Sequence, residues 1–477
     1  MSATTVTRTL VADGLTPVRA YAALRAAAPE SASFLLESVV GAERWGRYSV
    51  LGYRPRWEAT LHRDGWKVEP EEMGARLSPD GDAIAQIRPL LDDGGPAARP
   101  HESTAERFAG AHVGYLAWDI VHLVEKVPPG ADDTWSDHYV PIARLLGGAT
   151  VVVFDGLTQT VTVAGPTAED VDRAIADMRA DVTLRDIRVP DRSDLPRQVR
   201  TDLDDAAFKE RVLRAKEYIA AGDAFQIVVA RTFTVPREGR DPFDVYRAMR
   251  VLNPSPYMYY LDFPAKEGVP PLQIAGASPE TMVRLDAGQM TVRPLAGTRR
   301  RGATDEEDAK LAEELLADPK ERAEHVMLID LGRNDVGRVA ETGSVTMVRQ
   351  MEIERYSHVM HIVSEVRGRV PDGTPPLEVL RAAFPAGTLS GAPKVRAMQI
   401  IRELEARPRG IYGGAIGYVT ASGDLDFAIA IRTLICKGEQ LEVTAGAGIV
   451  EASDPQAEAD ETRTKARGVL CAIEAAG

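Results

Sequence analysis

Cysteine is nearly absent from this sequence, and positive charge is in short supply. The 477 residues include two cysteines, Cys436 and Cys471, too few for a disulfide framework or a cysteine-rich zinc site. This usage favours a reducing, cytoplasmic compartment. The formal net charge is -14, and because an acidic chain repels phosphate backbones, we expect no nucleic-acid partner. An anionic substrate would need local cations or a metal to be held.

Long apolar runs and phosphate-binding loops are missing as well. No run approaches the roughly 20 residues of a membrane helix, and residues 1–16 have no apolar signal core, so no membrane association is expected. Neither a Gly-x-Gly-x-x-Gly motif nor a Walker loop occurs, which leaves nucleotide binding without support. What remains is an ordinary globular composition, 44% hydrophobic and 27% charged, in a chain long enough for two large domains or about three smaller ones.

Apolar segments around turn residues are the main local pattern, and they indicate an α+β fold. Asp-Gly between two apolar β-forming segments is a strong hairpin signal. Hairpins are predicted for residues 48–58 with 66–68, 150–154 with 158–163, and 281–285 with 290–292. Further strands are predicted at residues 225–235 and, as an antiparallel set of three, at 413–420, 425–436 and 441–444.

Helices are predicted at residues 168–180 and 204–221, on either side of a charged, proline-containing stretch. This stretch, residues 185–200, has little apolar pattern, and we interpret it as a domain linker. The chain is thereby divided into an N-terminal domain, residues 1–190, and a second domain, residues 201–477.

Two helix starts share one design, an aspartate followed by a proline: Asp318-Pro319 and Asp454-Pro455. Aspartate suits the N-cap position and proline the first helical position. Two glutamates three residues apart follow each start and share one helix face. They are Glu321 and Glu324 in the first helix, and Glu458 and Glu461, one turn before Lys465, in the second.

Two interpretations of these glutamates stay open. Glu321 could close a capping box with Asp318, and Glu458 could simply suit the positive end of a helix dipole. Taken together, the pairs indicate a hard-cation site, because Mg²⁺ prefers oxygen ligands and converging carboxylates repel each other without a cation.

Six motifs follow one another from about Thr201 to the C-terminus. They are Gly276-Ala-Ser-Pro-Glu280, Arg293-Pro-Leu-Ala-Gly-Thr-Arg-Arg-Arg-Gly302, Glu324-His-Val-Met-Leu-Ile-Asp-Leu-Gly-Arg-Asn-Asp335, His358-Val-Met-His361, Phe384-Pro-Ala-Gly-Thr-Leu-Ser-Gly-Ala-Pro-Lys394 and Gly446-Ala-Gly-Ile-Val450. In this order they resemble the chorismate-binding enzyme family. The resemblance implies two large antiparallel sheets packed together, helices outside them, and an active site in a cleft.

The family contains several reactions on chorismate, and two residues narrow the choice. Members that add water carry a lysine base where this chain has Gln226, and members that make aminodeoxychorismate carry a nucleophilic lysine where it has Ala296. Neither an amide nor a methyl group does the work of those lysines, although both residues are also ordinary strand residues. The resemblance therefore implies amination of chorismate with ammonia and loss of pyruvate to give anthranilate, the first step of tryptophan biosynthesis.

Three alternatives remain beside that reaction. An aminodeoxyisochorismate synthase, which stops before pyruvate is lost, would share almost every motif. An isochorismate or salicylate synthase is disfavoured by Gln226. A non-catalytic amino-acid sensor is disfavoured because all four glutamates are present.

The resemblance also assigns the proton-transfer and metal-binding roles. Glu280 is the implied acid for the leaving 4-hydroxyl group, which requires a raised pKa. His361 is the residue implied for the elimination, although a lone strand histidine is more often satisfied by a backbone group. Mg²⁺ is the implied cofactor, with Glu324 and Glu461 as the best ligands and Glu321 and Glu458 as further or water-mediated ligands.

Substrate binding is assigned in the same way. Tyr412 and Arg432 are implied to hold the pyruvyl carboxylate, because a guanidinium group binds a carboxylate in bidentate fashion; an exposed strand charge is the alternative for Arg432. The other implied contacts are Thr388 to the ring carboxylate, the backbone of Gly446, Ala447 and Gly448, the cation of Lys465 and the side chain of Thr298; Thr388 and Gln226 are also implied as catalytic residues.

A second ligand site is implied nearer the N-terminus. Leu35-Leu-Glu-Ser38, Gly46-Arg-Tyr-Ser49 and Asn253-Pro-Ser-Pro-Tyr-Met-Tyr-Tyr260 resemble the tryptophan feedback pocket of anthranilate-forming members. Taken alone, the leucines would be core residues and Asn253-Pro254 a turn. The implied tryptophan contacts are Glu37, Ser38, Asn253, Pro254, Tyr257 and Met258.

The source of ammonia is expected outside this chain. A glutaminase needs a cysteine nucleophile with a histidine base. Cys436 and Cys471 lie in apolar segments with no histidine close by in the sequence, which is typical of buried, unreactive thiols. The resemblance implies a separate glutamine amidotransferase subunit, component II, and hence a hetero-oligomer.

Overall fold

The structure, a computed structural model, describes residues 5–38, 47–91, 104–128, 140–266, 269–356, 359–405 and 407–477. The strands are β1 Val6–Val11, β2 Ser33–Glu37, β3 Tyr48–Tyr53, β4 Trp57–His62, β5 Gly65–Glu69, β6 His112–Leu116, β7 Ala143–Gly147, β8 Thr150–Asp155, β9 Thr160–Gly165, β10 Arg200–Thr201, β11 Gln226–Pro236, β12 Tyr257–Phe263, β13 Leu272–Ser278, β14 Thr281–Asp286, β15 Gln289–Val292, β16 Leu295–Arg300, β17 Thr346–Arg355, β18 Val359–Arg369, β19 Gly391–Ala392, β20 Ala415–Val419, β21 Leu425–Ile429, β22 Thr433–Lys437 and β23 Gln440–Ile449.

The helices are α1 Pro17–Ala27, α2 Glu71–Gly74, α3 Ala83–Leu91, α4 Thr104–Ala109, α5 Val121–Val124, α6 Ala168–Met178, α7 Asp205–Ala220, α8 Pro242–Leu252, α9 Asp305–Ala317, α10 Pro319–Gly337, α11 Pro376–Ala383, α12 Gly387–Ser390, α13 Lys394–Leu404 and α14 Pro455–Ala475, with a short 3-10 turn at Trp118–Ile120.

The strands form two large antiparallel sheets. The first has twelve strands in the order β1-β9-β8-β3-β2-β12-β13-β22-β23-β11-β10, with β19 also paired to β11. The second has eleven, in the order β16-β18-β15-β14-β21-β20-β6-β7-β4-β5, with β17 paired to β18. The expected α+β fold of two large antiparallel sheets is therefore confirmed.

The two sheets pack face to face, and helices cover their outer sides. Phe34 and Ile274 of the first sheet and Val113 and Ile416 of the second belong to one buried cluster between the sheets. Helices α1, α6, α8 and α14 pack on the first sheet, and α3 and α11 pack on the second. Apolar side chains are therefore withdrawn from water on both faces of each sheet.

The predicted linker contains neither helix nor strand over residues 181–199. Both sheets nevertheless take strands from before and after this segment. For example, β2 pairs with β12 in the first sheet, and β6 pairs with β20 in the second. The division into two domains stays a prediction, but the sheets are not divided at this point.

Most predicted elements are confirmed to within a few residues. The turns at 64–65, 155–156 and 286–288 join β4 to β5, β8 to β9 and β14 to β15. Helices 168–180 and 204–221 correspond to α6 and α7, and strand 225–235 corresponds to β11.

Two predicted strands are wrong, and both fail for the same reason. Residues 48–58 form β3 and β4, and residues 425–436 form β21 and β22; in each case the two strands lie in different sheets. The chain crosses between the sheets at Arg54 and Arg432, whose φ angles are +50° and +51°. Pro55 marks an interruption of the strand at the first crossing, but because the strands of both sheets are apolar, the sequence does not show that the chain changes sheets. The C-terminal region has four strands, β20 to β23, instead of three.

Both cysteines are buried, as predicted. Burial raises the pKa of the Cys436 thiol to about 11 and also raises that of Cys471, which makes both poor nucleophiles. No helix in the described part of the chain is long and apolar enough to cross a membrane.

Candidate active site

A cavity of about 560 Å³ collects most of the residues that the sequence assigns to catalysis, substrate and metal. Strands β11 and β23 of the first sheet, β16 and β18 of the second, and the first turns of α10 and α14 all contribute to its wall. The predicted site residues that line it are Gln226, Glu280, Thr298, Glu321, Glu324, His361, Thr388, Tyr412, Arg432, Gly446, Gly448, Glu458, Glu461 and Lys465. The side chain of Ala447 is instead buried in the core, because alternate residues of a strand point to opposite faces.

Aspartate caps fix the starts of α10 and α14, as predicted. Asp318 accepts from the backbone nitrogens of Lys320 and Glu321 at 3.0 and 3.2 Å. Asp454 accepts from those of Gln456 and Ala457 at 3.0 and 2.8 Å. The carboxylate of Glu321 bonds Arg299 at 3.4 Å. Both helices consequently begin at the cavity, and each presents its pair of glutamates to it.

The glutamates from the two helices repel one another across the cavity. Burial raises the pKa of Glu324, the hydrogen bond from Gln226 (3.2 Å) opposes this, and the charges of Glu321 and Glu461 add to it. Burial likewise raises the pKa of Glu458, again with a contribution from the charge of Glu461. Carboxylates that raise one another's pKa in this way favour a cation between them.

A magnesium ion suits this set of donors. Among the described residues, no three His, Cys, Asp or Glu side chains are grouped so that they hold a metal unaided. Mg²⁺ usually takes one or two protein carboxylates and completes its octahedron with water and substrate oxygens. Lys465 lies 2.6 Å from Glu461 and donates to the Gly446 carbonyl at 3.0 Å, so this lysine and a metal would share the Glu461 carboxylate.

Glu280 is an acid that keeps its proton at neutral pH. It lies in the turn between β13 and β14 and is 8% exposed. Burial raises its pKa to about 8, against the opposing effects of the Thr388 hydrogen bond and the charge of Lys465. The Thr388 hydroxyl donates to Oε1 at 3.0 Å. This burial provides the raised pKa that a general acid requires.

His361 is a neutral base whose tautomer the backbone fixes. Its Nδ1 lies 2.9 Å from the carbonyl oxygen of Gly297. A carbonyl only accepts, so Nδ1 carries the hydrogen and Nε2 is the unprotonated nitrogen. Burial lowers the pKa of the ring and keeps it neutral. Gly297 has a φ of +65°, where glycine is favoured, and lies at an irregularity in β16. The histidine is thus satisfied by a backbone group and also faces the cavity.

Arg432 stands in the crossover between β21 and β22 instead of in a strand. No described residue forms a hydrogen bond or ion pair with its guanidinium group, and burial lowers its pKa. An unpaired guanidinium in a cavity is a natural partner for a substrate carboxylate. Tyr412 lies beside it on the cavity wall.

Two glycines of β23 allow this wall to be close-packed. A Cβ atom at Gly446 would lie 2.7 Å from the Tyr412 hydroxyl oxygen and 2.8 Å from the Val229 carbonyl oxygen. A Cβ atom at Gly448 would lie 2.8 Å from Nε2 of Gln226. Any larger residue at these positions would displace side chains that form the cavity.

Five of the six predicted tryptophan contacts fall into two groups, and the sixth, Tyr257, lies beside Met258 on β12 with its side chain on the opposite face of that strand. Asn253 and Pro254 line the cavity itself, on its side next to the end of α8. Glu37 on β2 and Met258 on β12 are paired across the two strands and buried outside it. Ser38 follows Glu37, and its hydroxyl oxygen is buried without a hydrogen-bond partner in the described structure. Of the predicted motifs, Gly46 and His358 lie outside the described residues.

Several cavity residues had no signal in the sequence. Arg192 comes from the predicted linker and donates to the Leu252 carbonyl at 2.8 Å. Tyr356 packs edge-on against His361, with ring centroids 5.6 Å apart. The Arg192 contact joins segments 60 residues apart in the chain, which local patterns do not reveal. Tyr356 is only five residues from His361, but no motif in the sequence singles it out.

Sequence comparison finds close relatives over nearly the full length of the chain. Residues 81–470 match the family model described as chorismate binding enzyme, which begins well before Thr201, where the motif resemblance begins. Anthranilate synthase component 1 of Aquifex aeolicus is 42% identical over 98% of this chain and 94% of that protein. Anthranilate synthase component 1 of Streptomyces coelicolor is 44% identical over 97% of this chain and 88% of that protein.

A solved structure has the same fold. The crystal structure of anthranilate synthase component I from Streptococcus pneumoniae matches with a TM-score of 0.75 and 34% sequence identity, covering 91% of this chain and 94% of that chain.

Proposed function

This chain belongs to the family of chorismate binding enzymes, and from that premise we propose that it is the anthranilate-forming component I of an anthranilate synthase. It aminates chorismate with ammonia and eliminates pyruvate, which is the first step of tryptophan biosynthesis. Relatives named for this activity are 42–44% identical over 97–98% of the chain.

The observation that carries this proposal is a pair of groups with opposite protonation in one cavity. At neutral pH Glu280, whose pKa is raised to about 8, holds a proton to give. His361, whose pKa is lowered, offers Nε2 to accept one. Groups whose environments push their pKa values apart are suited to the acid and base roles of one reaction.

The first step uses the acid. Ammonia attacks C2 of the chorismate ring, the double bonds shift, and the bond between C4 and its hydroxyl oxygen breaks. Glu280 protonates the departing oxygen, which leaves as water, while the new ammonium group loses a proton to solvent. The neutral amide of Gln226 activates no water, so water does not compete as a base-activated nucleophile.

The second step uses the base. Nε2 of His361 removes the hydrogen from C2, the ring becomes aromatic, and the bond to the enolpyruvyl oxygen breaks. The enolpyruvate takes up a proton and becomes pyruvate. The carbonyl of Gly297 stabilises the imidazolium through Nδ1.

Charged groups hold the substrate in place during both steps. Arg432 and Tyr412 bind the pyruvyl carboxylate, and the Thr388 hydroxyl, which donates to Glu280 in this structure, turns to the ring carboxylate when the substrate is bound. We propose Mg²⁺ as cofactor, with Glu324 and Glu461 as principal ligands and Glu321 and Glu458 as further or water-mediated ones. When bound, the ion offsets the negative charge of the ring carboxylate and fixes its orientation.

A separate subunit completes the enzyme. Neither buried cysteine suits a glutaminase, so we propose that a glutamine amidotransferase, component II, docks on this chain in the cytoplasm and delivers ammonia. Tryptophan is the proposed feedback inhibitor, bound by Glu37, Ser38, Asn253, Pro254, Tyr257 and Met258.

The test is to incubate the purified chain with chorismate, Mg²⁺ and an ammonium salt and to record anthranilate fluorescence. At a fixed total ammonium concentration, activity should rise with pH up to about 8, because free ammonia is the nucleophile, and should rise no further above that pH, where Glu280 loses the proton it donates. Glutamine in place of ammonium should give no product. Steady anthranilate formation from glutamine by the chain alone would show a glutaminase site and overturn the reading of its cysteines.

The closest alternative, an aminodeoxyisochorismate synthase, makes a different prediction for one variant. If His361 acts only in the elimination, His361→Ala should form the aminated intermediate and release it, whereas the unaltered chain releases anthranilate. Chromatography of the products decides this. An ordinary anthranilate yield from the variant would remove His361 from the mechanism, and an aminated product without pyruvate from the unaltered chain would favour the alternative.

A further inference from the structure

Two tyrosines of strand β12 have their hydroxyl groups directed toward the active site, but neither hydroxyl reaches the cavity. Tyr257 and Tyr259 are two residues apart, and therefore on one face of the strand. Neither is among the described residues that line the cavity. Each hydroxyl bonds a threonine that directly follows a site residue: Thr281 follows Glu280, and Thr433 follows Arg432.

The Tyr259 hydroxyl reaches its threonine across an intervening strand. Tyr259 on β12 is opposite Gly276 on β13, and Gly276 is opposite Thr433 on β22. The tyrosine ring lies over the glycine: a Cβ atom at position 276 would be 2.1 Å from ring atom Cε2 and 2.5 Å from the hydroxyl oxygen. Only glycine at this position lets the hydroxyl come within 2.7 Å of Thr433 Oγ1.

This contact closes the turn that presents Arg432. The Thr433 hydroxyl donates to the Ile431 carbonyl at 2.8 Å. Because its hydrogen is used there, the Tyr259 hydroxyl is the donor in the 2.7 Å bond to Thr433. The two bonds span Arg432, whose φ of +51° is uncommon for a residue with a side chain. Such a conformation persists where neighbouring contacts enforce it.

Tyr257 makes the corresponding contact beside Glu280. Its oxygen lies 2.8 Å from Thr281 Oγ1 and 2.9 Å from Asp426 Oδ1. An ionised carboxylate only accepts, so Tyr257 donates to Asp426 and Thr281 donates to Tyr257. The chain immediately after Glu280 is thus tied to both β12 and β21.

We propose that Tyr257 and Tyr259 are positioning residues, which act through Thr281 and Thr433 to aim Glu280 and Arg432 into the active site. The inference rests on the proposed function, because it takes these two residues to act on chorismate. The two contacts have different kinetic consequences. Arg432 binds a substrate carboxylate, so its misplacement raises KM; Glu280 gives a proton during the reaction, so its misplacement lowers kcat.

The contact that positions Arg432 is tested with Tyr259→Phe, Thr433→Val and the double variant. Each should raise KM for chorismate about tenfold, equivalent to about 1.4 kcal/mol, with kcat changed less than about twofold. Because both single variants remove one shared bond, the double variant should be little worse than either. Thr433→Ser keeps the hydroxyl and should keep the KM of the unaltered chain.

The matched control is Tyr260→Phe. This change removes a hydroxyl from the neighbouring position of the same strand, where the oxygen is buried without a hydrogen-bond partner in the described structure. It should leave KM and kcat unchanged. If Tyr259→Phe does not fold, the pair Thr433→Val and Thr433→Ser decides the question without it.

The contact that positions Glu280 is tested with Tyr257→Phe and Thr281→Val. Each variant should lower kcat about tenfold with little change in KM. Anthranilate formation by the unaltered chain tests the proposed function separately. If that chain is active and Thr433→Val or Tyr259→Phe leaves KM unchanged, or Tyr257→Phe changes KM instead of kcat, the positioning inference is overturned and the function stands. An unaltered chain inactive with chorismate, Mg²⁺ and ammonium overturns the function itself.

Discussion

The glutamates of the catalytic cavity and Glu37 on β2 differ in the partners that the chain gives to their carboxylates. Glu37 accepts a hydrogen bond from Tyr246 at 2.6 Å and forms an ion pair with Arg250 at 2.8 Å. In the cavity, Glu461 pairs with Lys465 and Glu321 with Arg299. Glu324 and Glu458 have no ion pair with any described residue, and the pKa of each is raised.

The difference separates a carboxylate whose charge the chain itself balances, at Glu37, from carboxylates that have no ion pair within the described structure, at Glu324 and Glu458. A buried charge is tolerated when the chain supplies its partners, and at Glu37 the chain does so. At Glu324 and Glu458 the described residues supply hydrogen bonds, from Gln226 and Ser453, but no oppositely charged partner at ion-pair distance. The same substitution, glutamate to glutamine, should therefore have opposite effects in the two regions.

The largest expected effect is a loss of activity when a glutamate of the cavity is replaced by glutamine. Glu324→Gln or Glu461→Gln should lower anthranilate formation by several orders of magnitude, because a neutral amide is a poor magnesium ligand. The urea midpoint of Glu324→Gln should not fall, since a repelling charge is removed, whereas Glu461→Gln also removes the ion pair with Lys465. Activity is measured at limiting Mg²⁺ and folding by circular dichroism. Glu313→Gln, at an exposed position on α9, is the control. Near-normal turnover of either cavity variant at limiting Mg²⁺ would show that the metal is held elsewhere.

The next effect concerns proton donation by Glu280. Glu280→Gln should slow the reaction about 10²–10⁴-fold, the usual contribution of a general acid. With free ammonia held constant, the rate of the unaltered chain should fall as pH rises through about 8, where Glu280 loses its proton. The Thr388 hydrogen bond lowers this pKa, so Thr388→Val should move the fall to higher pH. A fall that moves to lower pH would contradict the assignment.

A smaller effect, on stability, is expected at Glu37. Glu37→Gln removes the partner charge of Arg250 and should lower the free energy of unfolding by about 1–3 kcal/mol, measured by urea titration. Glu324→Gln in parallel provides the contrast. If both variants lost equal stability, the two regions would not differ in the way that their ion pairs indicate.

The smallest effect is expected on regulation. Substitution of Ser38 or Met258 should weaken tryptophan inhibition within the coupling range of about 1–3 kcal/mol that is typical between two sites. Turnover without tryptophan is the internal reference, and inhibition curves are the measurement. Absence of tryptophan binding to the unaltered chain in calorimetry would end the proposal of a feedback pocket.

Local chemistry made part of this structure predictable. Asp318-Pro319 and Asp454-Pro455 correctly predicted two helix starts, and Asp-Gly pairs correctly predicted two hairpins. Both predictions succeed because helix caps and turns are determined by a few neighbouring residues. The crossings at Arg54 and Arg432 were not predictable, because the choice between two apolar sheets is made by tertiary contacts. The same holds for the active site. Motif resemblance supplied Glu280 and His361, but their pKa shifts come from burial that only the fold creates.

The structural role of Gly276 could be predicted neither from local sequence patterns nor from motif resemblance. In the sequence it is the first residue of a motif and has no chemistry of its own. In the structure, its lack of a side chain leaves room for the Tyr259 ring, whose hydroxyl bonds Thr433. The three residues come from three strands, so no local pattern joins them.

The shared sheets also set the order in which the molecule can be completed during synthesis. In the first sheet β22 and β23 join β13 to β11, and in the second sheet β20 and β21 join β6 to β14. Between the emergence of β11 and that of β23, ribosomes working at about 5–20 residues per second need roughly 10–40 seconds. Until β20 to β23 emerge, the strands that they pair with, β6, β11, β13 and β14, have exposed hydrogen-bonding edges once they are synthesised, and such edges invite pairing with other chains. Fragments that end before β20 should therefore aggregate unless the missing strands are supplied in the same cell.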